Sequence, residues 1–437
     1  MTAYRAAAGR DRPPAPGGLR LIVADRPLPL AEHLDLYGRP PRSRAEDLVA
    51  EVTRAGLTGR GGGAFPTGRK LSAVASARSR LGSVRGGPGS VIVANGSESE
   101  PASHKDSVLL GHAPHLVLDG IALCAAAVGA DRAYLCVGHL AAGVARSLRA
   151  AVAERDRTGL DQVPVQVTDG SGGYLSGQEN ALISALNGGL PLPTFVPPRP
   201  AEKGAHRRPT LVLNVETLAH VALIARYGAD WFRSVGTAAA PGSALVTVTG
   251  SVDRPGVREI PLGTPLGEVL ARSGCTAPAQ AVLTGGYFGT WLPLPDALPV
   301  PVSEPAMRAA GAALGPGVLA VLPHSACGLA ETARVTGFLA AQIAGQCGPC
   351  ANGMPALADA MNQIAFGQPG DDIIGWVRQL TSLIVGRGAC HLPDGAAALV
   401  RTALTVFAPD LRAHAAAGPC LRTRQHAVLP IPAWSLP

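Results

Sequence analysis

Short apolar runs and longer amphipathic stretches alternate through the first half of the chain. The runs predict strands, and the stretches whose apolar positions recur about every 3.6 residues predict the helices between them. The predicted strands cover residues 91–94, 133–137, 163–167 and 210–213, and the first intervening helices cover residues 112–128 and 141–153. Because helices that connect successive strands favour parallel pairing, the pattern predicts an α/β domain with a parallel sheet.

The pattern changes in the second half of the chain. From residue 243, short strand patterns around a turn predict a compact β-rich module, and from residue 317 the apolar positions predict mostly helices. The N-terminal arm is rich in Pro, Gly and Arg and is expected to be disordered. The predicted divisions are the arm over residues 1–40, the α/β domain over 41–240, the β-rich module over 241–305, the helical region over 317–410 and a tail over 411–437.

Residues 56–70, GLTGRGGGAFPTGRK, contain six glycines and three basic side chains. This composition predicts a loop rather than a helix or strand. Its bare backbone amides can converge on an anion such as a phosphate, and Arg60, Arg69 and Lys70 supply positive charge. The segment is neither a P-loop nor the G-x-G-x-x-G dinucleotide motif. A flexible turn without a ligand is the alternative interpretation.

Polar side chains follow the predicted strands of the first domain. Glu98 and Glu100 come just after the first strand, where open α/β sheets place their ligands. Gln178 and Glu179 lie in the first turn of a later helix, and Asn214 is suited to cap another. Each glutamate also has a structural interpretation, as a helix cap, a partner of the helix dipole or a solvated side chain.

The late cysteines have the spacing of metal ligands. Cys347 and Cys350 form a C-x-x-C where one predicted helix meets the next, and Cys390 lies in a later loop. Three thiolates so placed indicate a metal or iron–sulfur site, with Cys327, His391 or water as the fourth ligand. A redox dithiol or a metal-free C-x-x-C is the alternative. The other cysteines are three expected to pack as small hydrophobic residues, Cys124, Cys136 and Cys275, and Cys420, which has no assigned role.

Composition and charge argue against some classes of function, such as nucleic-acid binding and membrane insertion. The net charge is +7 and the pI is about 9.2, but the basic residues are scattered, which does not indicate nucleic-acid binding. A basic surface is compatible with an acidic protein partner. No run approaches the ~18 to 20 apolar residues of a membrane span, and arginines interrupt any signal-peptide core. We therefore expect a cytoplasmic protein with no direct membrane insertion.

Taken in order, these motifs resemble the flavoprotein subunit of respiratory complex I and the related diaphorase subunits of NAD-linked hydrogenases and formate dehydrogenases. The resemblance runs from about residue 45 to residue 405. It implies a Rossmann-like domain for FMN and NADH, a β-grasp module, and a helical bundle that holds a four-iron four-sulfur cluster.

The resemblance also implies roles for individual residues. The positions that match FMN contacts are Gly59, Arg60, Gly61, Gly62, Lys70, Asn95, Tyr174, Gly177 and Asn214. Those that match dinucleotide contacts are Phe65, Glu100 and Glu179, and the remaining cofactor-binding positions are Ser97, Glu98, Gln178, Arg199 and Thr217. Three cluster ligands match Cys347, Cys350 and Cys390.

The chain departs from the family pattern at several of these positions. Ala344 stands where the family has a fourth cysteine, so a cluster here has three cysteine ligands. It is then either a three-iron form or a cubane with one non-cysteine ligand. Ser97 replaces an aspartate, Gln178 a glutamate, and Arg199 the phenylalanine that stacks on adenine. Fewer carboxylates and an added guanidinium make NADPH an alternative to NADH.

The resemblance implies a flavin-dependent oxidoreductase. NAD(P)H passes hydride from its C4 to flavin N5, and electrons leave through the iron–sulfur cluster to a ferredoxin-like or quinone-linked acceptor. No side-chain base is required, and Glu98 and Glu100 would orient the cofactor. The alternatives are a non-catalytic subunit with a vestigial nucleotide or cluster site, and a subunit associated with a membrane ion pump.

Overall fold

A computed structural model describes residues 20–41, 44–81, 89–138, 142–170, 173–367 and 369–432. The first 19 residues of the predicted arm lie outside this range. The rest of the arm includes a helix, α1 (Leu30–Tyr37), whose Leu30, His33 and Tyr37 are buried against the first domain.

A four-stranded parallel sheet forms the centre of the first domain, as the strand and helix pattern predicts. Its strands are β1 (Ser90–Gly96), β2 (Ala130–Val137), β3 (Val165–Asp169) and β4 (Thr210–Asn214), in the order β3-β2-β1-β4. Residues 91–94 of β1 are fully buried, which fits a parallel sheet covered on both faces. The strand order reverses between β1 and β4, where Asn95 and Asn214 pair at the carboxyl ends.

Helices cover this sheet. After α1 they are α2 (Ala45–Ala55), α3 (Thr67–Leu81), α4 (Lys105–His112), α5 (Pro114–Val128), α6 (Ala142–Thr158), α7 (Glu179–Leu186), α8 (Pro200–Lys203) and α9 (Val215–Arg233). Helix α3 begins at Thr67, so the last four residues of the predicted glycine loop, Lys70 among them, are helical. The basic side chains at this end of the loop are therefore fixed on a helix.

A buried carboxylate joins several of these helices. Asp119 on α5 pairs with His33 at 2.8 Å, with Arg155 at 2.8 Å and with Arg226. Burial opposes its charge, but these three partners together lower the pKa of Asp119 to about 2. The pairs connect α1, α6 and α9 to α5, the helix that packs in the middle of the domain core.

A second, mixed sheet follows. Its strands are β5 (Ser243–Gly250), β6 (Gly256–Pro261), β7 (Ala279–Thr284), β8 (Thr290–Pro293) and β9 (Val318–Pro323), in the order β6-β5-β9-β7-β8, with helices α10 (Leu266–Arg272) and α11 (Glu304–Ala309) beside them. Strands β5 and β9 are parallel and the other pairs are antiparallel. The central strand therefore comes from residues 318–323, beyond the end of the predicted module.

The remaining helices enclose a separate apolar core. They are α12 (Gly328–Ala341), α13 (Met354–Phe366), α14 (Asp371–Ile384), α15 (Leu392–Val406) and α16 (Ala408–Ala417). In the predicted tail, the backbone amides of Val428 and Leu429 donate to Glu331 on α12, and Leu429 is buried. The end of the described chain thus packs on this helical region.

Among the described residues, no single helix has the length and apolar character to cross a membrane. One bent pair, α4 with α5, passes that test together by length and composition alone, with an angle of 95° between its helices.

Candidate functional site

The glycine loop lies beside the carboxyl ends of β1 and β4, at the point where the strand order reverses. Its two ends are tied together, because the Gly59 amide donates to the Phe65 carbonyl and the Thr67 amide to the Leu57 carbonyl, both at 2.9 Å. In open α/β sheets this reversal point opens a crevice for ligands. The sequence and the topology therefore place the loop at the expected position.

The tip of the loop lies close to β4 and leaves amides available. A Cβ atom on Gly61 would lie 3.2 Å from the Cβ of Asn214, and Gly62 has a φ of +106°. Within the described chain, the amides of Gly61, Gly62 and Gly63 donate no hydrogen bond. Backbone amides that converge without a protein partner form a cradle for an anion.

Arg60 holds the loop in place rather than extending into the crevice. Its amide donates to the Thr217 hydroxyl at 2.9 Å, and its guanidinium donates to Thr58 at 3.0 Å and to the Ser243 carbonyl at 3.1 Å. Burial lowers the pKa of Arg60, opposed by the charge of Glu216. The side chain thus links the loop to the first strand of the second sheet.

A buried ionic cluster lies behind the loop. The Lys105 ammonium contacts Asp106 at 2.6 Å, Glu216 at 3.0 Å and the Asn214 side-chain oxygen at 3.2 Å. Burial raises the pKa of Asp106, whereas Lys105, His220 and Arg60 together lower the pKa of Glu216 despite its burial. The cluster joins α4 to α9 and orients Asn214 at the end of β4.

Asn95 and Gly177 connect the crevice to the segment before α7. The Asn95 amide group donates to the Gly177 carbonyl at 2.8 Å. A Cβ atom on Gly177 would lie 2.7 Å from the Ser99 hydroxyl and 3.0 Å from the Ser97 carbonyl, so only glycine fits this approach. The Ser97 hydroxyl is buried and has no hydrogen-bond partner among the described residues.

The Lys70 ammonium pairs with the Glu179 carboxylate at 2.8 Å. Both side chains are partly exposed, and Glu179 lies in the first turn of α7, with Gln178 as the residue before it. Phe65, 48% exposed, has the Arg69 guanidinium 5.8 Å from its ring centre. Arg199, just before α8, is also exposed.

Glu98 caps a helix. Its carboxylate accepts hydrogen bonds from the Ser103 hydroxyl at 2.7 Å and from the amides of Asp106 at 3.0 Å and Ser107 at 3.1 Å. These donors lie at the start of α4, where the amides lack partners within the helix. The structural interpretation of this glutamate therefore has direct support, and Glu98 fixes Lys105 through the backbone of α4.

Glu100 is buried between the two sheets. It accepts hydrogen bonds from the Tyr174 hydroxyl at 2.9 Å, the Tyr287 amide at 2.8 Å and the Ala102 amide at 3.3 Å. Burial raises the pKa of Glu100 to about 7, although these hydrogen bonds favour the ionised form. Tyr174, whose ring packs edge-on against Phe288, shares this buried position.

The raised pKa predicts a pH-dependent stability. Because the ionised carboxylate is disfavoured in the folded state, stability falls as pH rises from the ordinary carboxyl range to about 7 and then levels off. In Glu100→Gln the side chain does not titrate. Between pH 5 and pH 8, the unfolding free energy of the wild type should fall by about 2 to 3 kcal/mol relative to the variant. Urea unfolding at each pH measures this. The exposed Glu202→Gln is the control, and parallel curves for wild type and Glu100→Gln would contradict the prediction.

The three late cysteines lie at one end of the helical region. Cys347 and Cys350 flank the start of a π-helical turn (Pro349–Gly353) that leads into α13, and Cys390 precedes α15. Burial raises the pKa of Cys390, and the nearby thiols of Cys350 and Cys347 add to the increase. The described sulfurs do not all gather within 4.8 Å, the spacing of ligands to one ion. A cluster with several irons requires wider spacing.

The structure separates Cys327 from these cysteines. Cys327 precedes α12, whereas Cys347 follows the other end of that helix of 14 residues, a length of about 20 Å. His391, next to Cys390, is 90% exposed and pairs with Asp394 at 3.3 Å. Of the side chains named as fourth ligands, only His391 lies near the three cysteines.

Lys105, Asp106 and Glu216 are site residues that the sequence reasoning missed. Lys105 and Asp106 follow the predicted site residue Glu100, and Glu216 follows Asn214, but charges at the start of a helix have an ordinary structural role. The indication of such a cluster that the sequence offers is a pair of adjacent opposite charges, Lys105 and Asp106, in an otherwise apolar helix pattern. Only the tertiary fold shows that these charges are buried against each other.

Two family models match parts of this chain. The family model of the Nuo51 FMN-binding domain matches residues 52–223. The model of the NADH-ubiquinone oxidoreductase-F iron-sulfur binding region matches residues 323–414. The first match contains the glycine loop, the polar strand ends and the start of α7, and the second contains the three late cysteines.

Three curated relatives, each an F subunit of an NADH-quinone oxidoreductase, align along most of the chain. The second such protein of Rhizobium meliloti is 31% identical over 382 residues, 84% of this chain and 89% of its own length. The Streptomyces coelicolor protein is 33% identical over 381 residues, 84% of this chain and 83% of its own. The Escherichia coli protein is 31% identical over 388 residues, 84% of each chain.

A solved structure has a similar fold. A chain of an NAD+-reducing [NiFe]-hydrogenase in its H2-reduced state superposes with a TM-score of 0.77 and 31% sequence identity. The match covers 84% of this chain and 62% of the hydrogenase chain. The shared region is therefore less than two thirds of that hydrogenase chain.

Proposed function

Because the chain belongs to the family of F subunits of NADH-quinone oxidoreductase, we propose that the crevice beside the glycine loop is its FMN and NADH site. The protein is an NADH-dehydrogenase module that oxidises NADH through FMN and an iron–sulfur cluster. The observation that carries the site assignment is the set of unpartnered amides of Gly61, Gly62 and Gly63 at the reversal point of the parallel sheet.

We infer that the architecture has the three units that the resemblance implies. The parallel sheet with its helices is a Rossmann-like domain, and the β6-β5-β9-β7-β8 order with β5 parallel to β9 supports a β-grasp module. The helices from α12 onward form the bundle. The boundary between the Rossmann-like domain and the β-grasp module stays at residues 240 and 241. Strand β9 extends the β-grasp module to residue 323.

The crevice residues fit FMN by the chemistry of their donors. The loop amides have no partner within the described chain, whereas Lys70 would exchange its pair with Glu179 for the phosphate. The loop amides and the Lys70 ammonium suit a phosphate, and the unpartnered Ser97 hydroxyl and the Asn95 and Asn214 side chains suit a polar ring edge. The loop is held by Gly59, Arg60 and Thr217. The wall behind it is formed by Tyr174, Gly177, Glu98 and Glu100. The residues that remain to contact the dinucleotide are Phe65, Gln178, Glu179 and Arg199.

The protein contributes position and electrostatics to the reaction. Bound FMN supplies the ability to take up a hydride and release single electrons. Because Gly61 has no side chain, the loop backbone can lie close to Asn214. Lys105 keeps Asn214 oriented, and Glu98 keeps Lys105 in place through the first turn of α4. None of these residues has to transfer a proton.

The helical region fits an iron–sulfur cluster with three cysteine ligands. Cys347, Cys350 and Cys390 would hold it, and water or His391 would fill the fourth position, since Ala344 stands where a cysteine is expected. Because the sulfurs spread beyond single-ion spacing, this donor set suits a cluster. The cluster would deliver electrons to other redox subunits.

The net charge of the chain is the basis for proposing an electron acceptor. With a net charge of +7, the chain suits an acidic, ferredoxin-like carrier as the next redox partner, in the cytoplasm. Co-purification of membrane subunits would instead favour the ion-pump-associated alternative. A colourless protein that takes up neither flavin nor iron would favour the non-catalytic alternative.

Replacing Lys70 by alanine should weaken FMN binding. Loss of one charge-assisted hydrogen bond to a phosphate costs about 1.5 to 3 kcal/mol, or about 10- to 100-fold in Kd. Flavin fluorescence titration of the apoprotein measures this. Arg80→Ala, an exposed cation further along α3, is the control. Equal FMN affinity in Lys70→Ala and wild type would contradict the phosphate assignment.

The nucleotide preference has a separate readout. The flavin absorbance of the wild type should bleach under anaerobic NADH, and a parallel titration with NADPH tests whether Arg199 accepts a 2′-phosphate. Bleaching by neither nucleotide in FMN-loaded protein would contradict the proposed site. The Arg199→Ala variant should change only the ratio between the two nucleotides.

A further inference from the structure

A second cluster of soft ligands lies at the far end of α12 from the three late cysteines. Cys327 precedes α12, His414 lies near the end of α16, and Cys420 follows α16. The ligand atoms of all three lie within 4.8 Å of one another, and Cys327 Sγ is 3.8 Å from His414 Nε2. Cys327 and His414 are almost completely buried, and Cys420 is partly exposed.

The histidine is oriented as a metal ligand. His414 Nδ1 lies 3.1 Å from the Ile364 carbonyl, which can only accept, so Nδ1 carries the proton. Nε2 is then the unprotonated atom, and the Cys420 amide donates to it at 3.2 Å. Histidines that bind metals usually donate their other ring nitrogen to a carbonyl or carboxylate in this manner. The Nε2 lone pair accepts the hydrogen bond from the Cys420 amide and lies within 4.8 Å of both sulfurs, so a metal ion would replace the amide as its partner.

The charges around the cluster are suited to a divalent cation. Two thiolates and one dication sum to zero, which reduces the cost of burying them. The Arg422 guanidinium pairs with Asp410 at 2.5 Å and lies near the carbonyls of His324 and Ala326 at 3.4 Å. Because Asp410 already neutralises the Arg422 guanidinium, a centre of two thiolates and one dication needs no further counter-charge.

The spacing favours one ion over a cluster. In a tetrahedral zinc site, Zn–S distances of ~2.3 Å and Zn–N distances of ~2.0 Å bring the ligand atoms to about 4 Å from each other. Cys327, His414 and Cys420 meet this condition, whereas Cys347, Cys350 and Cys390 do not. Two thiolates with one imidazole are ligands that zinc prefers.

We propose that Cys327, His414 and Cys420 bind one Zn²⁺ ion, with water in the fourth position on the exposed side of Cys420. The ion fastens the C-terminal segment to the start of α12. That segment is also held by the Arg422 contacts, by the hydrogen bonds of Val428 and Leu429 to Glu331 and by the buried Leu429 side chain. The site is independent of the iron–sulfur cluster and of FMN.

The test measures zinc and iron together in the full chain. Protein purified anaerobically from medium that contains both metals should carry about one zinc ion in addition to its cluster iron. Cys327→Ser, Cys420→Ser and His414→Gln should each lose the zinc and keep the iron. The control is Cys275→Ser, a partly exposed cysteine of the second sheet region, which should keep both.

Two readouts on the wild type do not depend on the variants folding. X-ray absorption at the zinc edge should show two sulfur ligands at ~2.3 Å and one nitrogen at ~2.0 Å. Removal of zinc with a chelator should accelerate tryptic cleavage after Arg422 and Arg424, and added zinc should reverse this.

Several outcomes would overturn the proposal. They are a wild type without zinc, zinc retained in Cys327→Ser and His414→Gln, a sulfur-free zinc edge spectrum, or a Cys327–Cys420 disulfide in the anaerobically purified protein. Loss of iron together with zinc in Cys327→Ser would also overturn it, because the thiol would then serve the iron–sulfur site. If the protein does not bind FMN, the zinc measurements still test this site on their own.

Discussion

Replacing Cys347 with serine is expected to remove nearly all cluster iron from the anaerobically reconstituted protein. Only three cysteines are available at this site, because Ala344 occupies the position of the fourth, so no spare thiolate can replace the lost one. Iron and acid-labile sulfide analysis measures the loss. Cys275→Ser is the matched control and should retain its iron.

The opposite change should strengthen the same site. Ala344, partly buried just after α12, can be replaced by cysteine to supply a fourth thiolate three residues before Cys347. We expect Ala344→Cys to hold its iron several-fold longer in air than the wild type. Unchanged iron in Cys347→Ser, or faster loss in Ala344→Cys, would show that the ligand set is wrong. FMN content should be unchanged in both variants, which separates this test from that of the flavin site.

Local sequence determined much of the first domain. The runs at residues 91–94, 133–137 and 210–213 are short and largely apolar, and longer helical stretches separate them, so the parallel sheet was predictable. The glycine loop was also predictable as a loop up to Pro66, and its assignment as an anion site stays a prediction. Its composition rules out a strand and its glycines permit the close approach to Asn214 that the structure shows.

The strand β9 was not predictable by the same means. Its six residues, VLAVLP, are apolar without alternation, and a short apolar run of this kind does not distinguish a buried strand from the start of a helix. Its position between β5 and β7 depends on contacts with residues more than 30 positions earlier in the chain. Those contacts have no local signature.

The roles of the glutamates depend on long-range partners as well. Glu98 and Glu100 are two residues apart, yet one caps α4 and the other is buried against Tyr174 and Tyr287. Sequence proximity indicated that both lie at the strand end. It could not indicate which of them faces the second sheet, because the residues that determine this are 74 and 187 positions away.

Replacing Lys105 with methionine is expected to destabilise the protein by about 3 to 5 kcal/mol, because it leaves buried carboxylates without their cation. Lys105 is almost fully buried and contacts both Asp106 and Glu216. Methionine has a similar length, so the loss is electrostatic rather than a cavity. Urea unfolding at pH 7 measures the effect. Lys203→Met, on an exposed position of α8, is the control and should change stability by less than about 0.5 kcal/mol.

A double variant tests the cause of that loss. Glu216→Gln removes the charge that Lys105 neutralises, while its side-chain oxygen can still accept the hydrogen bond from the Leu245 amide. In the Lys105→Met background, Glu216→Gln should therefore recover about 1 to 3 kcal/mol, although Glu216→Gln alone should destabilise the wild type. Additive losses in the double variant would mean that the two charges do not interact. FMN affinity should follow the same pattern, because Lys105 also orients Asn214 at the mouth of the crevice.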